Sequence, residues 1–297
     1  MTTTNNKKID TNIIQNVNIS KMNKQTKGLL RNTIDKYYTK KIVVDQCINL
    51  VKQYIKIGSS DIVIEPSAGN GSFIDGIKSI SSHYIFYDLE PEHDEIIQQD
   101  YLICNEYNKK INEKIHVIGN PPFGRQSSVA IKFIKKSCEF CDTISFILPK
   151  SFKKESLKKC FPLNFHLIYE VDLPENAFLV DGIEHNVPCV FQIWEKKMFN
   201  REVAEKIEPL HFIFVDKKDN PDISFRRVGV NAGIIDTNIN EKSVQSHYFI
   251  KFTNDKLTRE NIDKLSSITY DFNNTVGPKS ISKQELIYKF NPLLSEE

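Results

Sequence analysis

The chain has 297 residues, 40% hydrophobic and 26% charged, with a formal net charge of +2, which is enough apolar material for a full core and too balanced for a polycation or a disordered acidic chain. Its first residues are polar and no apolar run reaches the length of a membrane span, so the expectation is an intracellular protein, cytoplasmic or nuclear, with no membrane partner. Six cysteines include one CxxC pair, Cys138 and Cys141, without a second pair or an HxxxH spacing; reduced thiols are expected and no metal site.

Residues 1–27 are rich in Thr, Asn and Lys with scattered Ile. Such a segment is too poor in apolar side chains to pack alone and reads as a disordered tail that could order on a protein partner. From Tyr37 onward, Val43, Cys47, Leu50, Val51 and Tyr54 recur at helical spacing, which predicts an amphipathic helix with Thr39 near its N-cap. A hydroxyl beside free N–H groups suits the carboxylate of an amino-acid-like cofactor, or Thr39 is simply a cap.

Ile62, Val63 and Ile64 form an apolar run typical of a buried parallel strand, followed by the small-residue turn Glu65-Pro66-Ser67-Ala68-Gly69-Asn70-Gly71. Gly69 and Gly71 let a ligand approach the backbone closely. No lysine follows to reach phosphates, and the turn is not a full GxGxxG. An acid at a strand tip before such a turn suits a cationic ligand bearing an amino acid. The next strand ends at Asp88, at about the spacing of twenty residues by which α/β nucleotide binders hold ribose hydroxyls; an exposed acid before a helix started by Pro91 is the alternative. Asp100 could accept from an adenine amino group. Glu92-His93-Asp94-Glu95 reads as an acidic helix N-terminus complementing the macrodipole.

The run Ile115, Val117, Ile118 and Gly119 leads into Asn120-Pro121-Pro122-Phe123. Two prolines fix their own φ, and Pro122 holds Pro121 extended, so the loop at the end of this strand is stiff. It offers the Asn120 side-chain oxygen and the Pro121 carbonyl as acceptors, and Phe123 as an aromatic face. Those groups suit a planar amine such as the exocyclic nitrogen of adenine, whose lone pair is freed when two acceptors draw its N–H groups towards tetrahedral geometry. Phe123 could stack on an extruded base. A proline-rich turn on a sheet edge is the plainer reading.

Between residues 125 and 159 there are nine basic residues against three acidic ones. Arg125, Lys150, Lys153 and Lys154 would then flank the loop as a phosphate-facing surface, unless the lysines only form a solvated face. A helix over 127–138 with Ala130, Phe133, Ile134 and Cys138 inward, strands over 144–152 and 165–173, and a strand over 187–194 complete this part. Residues 200–297 hold short segments at 211–215, 223–227 and 248–252 and a helical stretch near 258–268, with Arg226, Arg227 and Lys279 available to phosphates.

Taken in order, Tyr38-Thr39, the Glu65 to Gly71 turn, Asp88-Leu89-Glu90-Pro91, Asp100 and Asn120-Pro121-Pro122-Phe123 resemble the gamma group of S-adenosylmethionine-dependent adenine-N6 methyltransferases over about residues 36–196. The resemblance implies an α/β, Rossmann-like class I methyltransferase fold with a mixed, mainly parallel seven-stranded sheet, spanning 28–199, and a small C-terminal extension, 200–297, that could bind substrate. It implies S-adenosylmethionine as cofactor, with Thr39 and Glu65 at the methionine part, Asp88 at the ribose and Asp100 at the adenine, and Pro66, Ser67, Gly69 and Gly71 among the cofactor-binding residues. Asn120, Pro121, Pro122 and Phe123 would form the target-base site, and Phe178, in the loop before the last strands, would pack on the base opposite Phe123; a core aromatic is the equal alternative for Phe178. The extension is smaller than the recognition domains of site-specific DNA enzymes in this group. The functional expectation is methylation of adenine N6 in nucleic acid, DNA placed ahead of RNA, with protein glutamine-N5 methylation or a non-catalytic nucleic-acid-binding subunit as alternatives.

Overall fold

The computed structural model describes residues 36–104, 113–203, 205–254, 256–270, 272 and 279–295; the expected tail, residues 1–27, lies outside them. Seven strands form the central sheet in the order β4 (Ile97–Gln98), β3 (His83–Asp88), β2 (Ile62–Glu65), β5 (Ile115–Gly119), β6 (Thr143–Pro149), β10 (Cys189–Lys196), β7 (Phe165–Asp172). Pairing is parallel from β4 through β6, while β10 runs antiparallel between β6 and β7. Ranked by sequence, this is the order 3-2-1-4-5-7-6 with a reversed seventh strand, the Rossmann-like arrangement of class I methyltransferases.

The strands read as continuous apolar runs because both faces are covered. Val63, Ile118, Ile147 and Phe191 belong to one core with the helix Lys41–Tyr54, whereas their neighbours Ile64, Val117, Leu148 and Val190 belong to a second core with the helix Ser128–Phe140. The second helix buries Ala130, Phe133, Ile134 and Cys138, the face its sequence spacing indicates.

The first helix runs from Lys41 to Tyr54 with Lys40 as N-cap in extended geometry, so Thr39 sits beside the cap, as its position in the sequence suggests. Tyr38 and Thr39 form a short strand, β1 (Tyr38–Thr39), antiparallel to β8 (Phe178–Val180), which pairs in turn with β9 (Ile183–His185). The Lys40 N–H donates to the Ala177 carbonyl (3.0 Å), and Tyr and Thr favour strand geometry, so local preference and tertiary pairing agree at these residues. The acidic run 92–95, against expectation, is a turn and starts no helix; Glu92 and Glu95 are drawn to Lys36 and Lys78.

Beyond β10, the strands β11 (Phe212–Val215), β12 (Ile223–Arg226), β13 (Ile235–Asp236) and β14 (His247–Phe252) make an antiparallel sheet in the order β11-β14-β12-β13. Helices Arg259–Ser266 and Lys283–Ser295 contribute Leu265, Leu286, Ile287, Phe290 and Leu294 to its core. The last helix was not foreseen, although Leu286, Ile287, Phe290 and Leu294 carry helical spacing. The described residues belong to one compact unit, and Lys154, beyond β6, donates to the Ser280 carbonyl (3.0 Å) and hydroxyl (3.2 Å) of the C-terminal part.

Candidate active site

Parallel strands β2, β3 and β5 bring Glu65, Asp88 and the Asn120 loop to one edge of the sheet, where open α/β folds hold ligands. Glu65 is 2% exposed and its Oε2 is buried with no hydrogen-bond partner. Burial first, and then the nearby Asp88 carboxylate, push its pKa well above the ordinary value. A buried polar atom left unpaired costs free energy, which marks Glu65 out at this edge. Gly119 makes room for it: a Cβ there would stand 3.2 Å from Glu65 Cγ and 3.5 Å from Pro66 Cδ.

The glycine turn is tied to the next strand. The Gly69 N–H donates to Asp88 Oδ2 (2.7 Å), and Asp88 Oδ1 accepts from the Glu90 N–H (2.8 Å). Asp88 therefore shapes the turn as well as facing the edge, a role its spacing did not reveal. Gly71 sits at φ +83°, a backbone conformation that glycine adopts without strain and L side chains rarely do. Asp100 Oδ1 accepts from the Leu102 N–H (2.9 Å), capping the short turn Tyr101–Ile103.

The Asn120 amide is oriented by residues from the start of the described chain. Its Nδ2 donates to the Tyr37 carbonyl (3.3 Å) and to Thr39 Oγ1 (3.2 Å). A backbone carbonyl only accepts, so the nitrogen must face it. Asn120 Oδ1 then points the other way, buried and without a partner. The loop is pinned on both sides: the Ser67 hydroxyl donates to the Asn120 carbonyl (3.3 Å), and the Phe123 carbonyl accepts from the N–H groups of Val129 (3.1 Å) and Ala130 (3.3 Å). Pro121 is buried, Pro122 and Phe123 are half-buried, and Phe123 packs against both cores. Thr39, itself buried, keeps its O–H to donate.

Residues 36–40 lie strapped across the glycine turn. Tyr38 Oη donates to Glu92 Oε1 (2.6 Å), Lys36 Nζ lies 2.8 Å from Glu92 and 3.2 Å from Glu90, and the Glu92 N–H donates to the Gly69 carbonyl (3.0 Å). The Tyr38 ring covers Gly69, where a Cβ would stand 3.3 Å from Tyr38 Cε1. Burial, then the Glu92 bond, push the Tyr38 hydroxyl up to about 12. The contributions of Tyr37 and Glu92 escaped the sequence reading; a backbone carbonyl leaves no sequence signal, but Lys36 and Tyr38 facing an acidic turn could have suggested the second.

The structure does not bring two expected groups to the site in the roles assigned. Phe178 is fully buried in the core, with the Tyr37 ring edge-on at 6.2 Å, so it offers no open face opposite Phe123. Part of the basic run is engaged within the protein: Lys150 and Lys153 share the carboxylate of Asp172 (2.9 and 2.7 Å), and Lys154 is turned to Ser280 with Glu285 at 3.9 Å. Arg125 is exposed beside the loop. Among the described residues no group of three metal-ligating side chains occurs, and no helix is long and apolar enough to cross a membrane. Cys138 and Cys141 are free and buried, and burial pushes the Cys138 thiol up to about 12.

No family model and no curated protein matches the sequence. Among solved structures, the chain is similar to a candidate RNA methyltransferase from Pyrococcus horikoshii, at 16% identity and a TM-score of 0.45 over 62% of this chain and 98% of that one. It is similar also to the 23S rRNA methyltransferase ErmE, at 11% identity and a TM-score of 0.40 over 55% of this chain and 71% of that one. A third, a candidate class I S-adenosylmethionine-dependent methyltransferase from Listeria monocytogenes, gives 14% identity and a TM-score of 0.43 over 65% of this chain and 69% of that one. The strand order carries the fold: it is that of a class I methyltransferase.

Proposed function

We propose that this chain transfers a methyl group from S-adenosylmethionine to the exocyclic N6 amine of adenine in nucleic acid. The observation that carries the reading is the Asn120 Oδ1, a buried acceptor without a partner, held in place by Thr39 and Tyr37 at the tip of β5. With the Pro121 carbonyl as second acceptor, it would take the two N–H bonds of the amine and expose the nitrogen lone pair. Phe123 would support the base from one side. Such catalysis works by orientation and preorganised dipoles.

The residues at the strand tips fit the cofactor. Glu65, unpaired and buried, would receive the ammonium of the methionine part, with Thr39 donating to its carboxylate; the turn from Pro66 and Ser67 through Gly69 and Gly71 leaves the backbone open to close approach, and Asp88 and Asp100 would meet the ribose and adenine. When bound, the cofactor supplies a methyl group already activated by the sulfonium. The shape of the pair, an amine acceptor site beside a cation-accepting carboxyl, favours methyl transfer to nitrogen.

The test is transfer of labelled methyl from S-adenosylmethionine to matched single- and double-stranded DNA, structured RNA and a protein extract, with nucleoside digestion of the product. N6-methylated adenosine or deoxyadenosine is the expected product and chooses the polymer. Label confined to glutamine in protein would overturn the adenine reading, and absence of cofactor binding by calorimetry would overturn the enzymatic one.

A further inference from the structure

Lys150 and Lys153 share the carboxylate of Asp172, but the cations of the C-terminal sheet are held differently. Lys283 Nζ stands 4.4 Å from the ring centre of Phe214 and 5.8 Å from that of Tyr248. The Arg227 guanidinium lies 5.5 Å from the same Tyr248 ring while its Nη2 donates to the Gln245 carbonyl (2.7 Å). Lys279 Nζ is 4.8 Å from the Phe272 ring centre. An aromatic face holds a cation in position without cancelling its charge. Among the described residues no ion pair joins a carboxylate to any of these three. The nearby acids have other partners: Glu285 accepts from the Ser282 N–H (2.7 Å), and Asp236 pairs with Lys242. Lys279 and Lys283 are exposed and Arg227 half-buried.

Their location connects them to the candidate active site. Val228, next to Arg227, bridges to Ser280, next to Lys279. Ser280 is the residue that Lys154 grips, and Lys154 lies five residues beyond the carboxyl end of β6, whose neighbour β5 ends at Gly119, just before Asn120. The positive surface is therefore tied, through Ser280 and Lys154, to the segment that leaves the carboxyl end of β6 beside the strand that leads to Asn120. Oriented cations interleaved with aromatic rings suit a sugar-phosphate backbone better than a compact anion.

We propose that Arg227, Lys279 and Lys283 form the surface that binds the backbone of the nucleic-acid strand carrying the target base. The inference rests on the adenine-methylation reading above and moves the phosphate contacts from Lys150 and Lys153 to the C-terminal extension.

The test is the full chain carrying Arg227→Gln, Lys279→Gln and Lys283→Gln, titrated by fluorescence anisotropy against a short adenine-containing single strand, as RNA and as DNA, over a range of salt, with poly-glutamate as competitor. Affinity for the strand should fall about tenfold or more, and the slope of log K against log salt should fall by about 2, the loss of three phosphate contacts on a single strand. S-adenosylmethionine binding by calorimetry should stay as in the wild type. If the wild type binds the strand and the triple variant matches it in affinity and slope, this surface is not the binding site, and the adenine reading survives. Displacement of the strand by poly-glutamate at equal charge would reduce the surface to a general polyanion site and overturn the proposal. Failure of the wild type to bind either strand overturns the proposal together with the reading beneath it. Should the triple variant melt early, Arg227→Gln and Lys283→Gln singly carry the same test, each with an expected loss of about threefold and a slope change of about 0.7.

Discussion

The amide nitrogen of Asn120 donates to the hydroxyl oxygen of Thr39 across 3.2 Å, so a residue implied by resemblance to face the cofactor also orients the residue proposed to face the base. Thr39→Val should lower kcat about tenfold, because the amide loses one of its two fixed acceptors and turns. Thr39→Ser should restore it. The split matters: a role limited to cofactor binding would raise KM for S-adenosylmethionine and leave kcat unchanged.

Asn120→Ala should lower kcat by about 100-fold or more, the scale seen when a preorganised polar group aimed at the reacting centre is removed. Stability should change by less than about 1 kcal/mol, since the lost Nδ2 bonds are offset by removal of an unpaired buried oxygen. Steady-state kinetics and thermal unfolding check the two halves separately. Near-normal turnover would refute the proposed mechanism.

Glu65 gives a pH dependence with a definite sign. Its carboxyl has an ordinary pKa of 4.5 and is raised well above it in the fold, by burial and then by Asp88. The folded state therefore keeps a proton that the unfolded chain has lost, so stability declines as pH rises from the unfolded value towards the folded one, by at most about 1.4 kcal/mol per pH unit. Glu65→Gln removes this slope. Thermal melts should find the variant close to the wild type near the lower end of that window and progressively more stable than it as pH rises. Binding of a cationic group at Glu65 should expel the proton, so calorimetry in buffers of different ionisation enthalpy should register proton release for the wild type and none for the variant.

Phe178 separates packing from stacking. Because it is fully buried, Phe178→Ala should cost about 3–5 kcal/mol in denaturant unfolding. Phe178→Leu should keep both fold and turnover. A variant that folds like the wild type but loses affinity for the nucleic-acid strand would restore the base-stacking role that its burial argues against.

The sheet was legible because parallel strands buried on both faces write themselves as apolar runs, as at Ile62 to Ile64, and because acids and glycines at their tips recur at the βαβ period. That spacing also placed Glu65, Asp88 and Asn120 at a common edge. Contacts between distant segments were not legible. Nothing near Phe178 in sequence says that Tyr37 packs edge-on against it, and nothing near Lys150 or Lys153 says that both pair with Asp172. The helix Lys41–Tyr54 was legible with Thr39 beside its cap, but the strand just before it was not: Tyr38 and Thr39 pair with Leu179 and Phe178, partners about 140 positions away.

The bonds from Asn120 to Tyr37 and Thr39 span 83 and 81 positions of the chain. Contacts of that separation close a large loop and form only when the intervening strands have already assembled. All four residues of the Asn120 loop can be present, on a formed strand, while the amide is still free to rotate. Catalytic competence is thus a late event in folding. Refolding followed by methyl transfer should trail refolding followed by circular dichroism, and proteolytic clipping just after Thr39 should leave a sheet that melts cooperatively and turns over nothing.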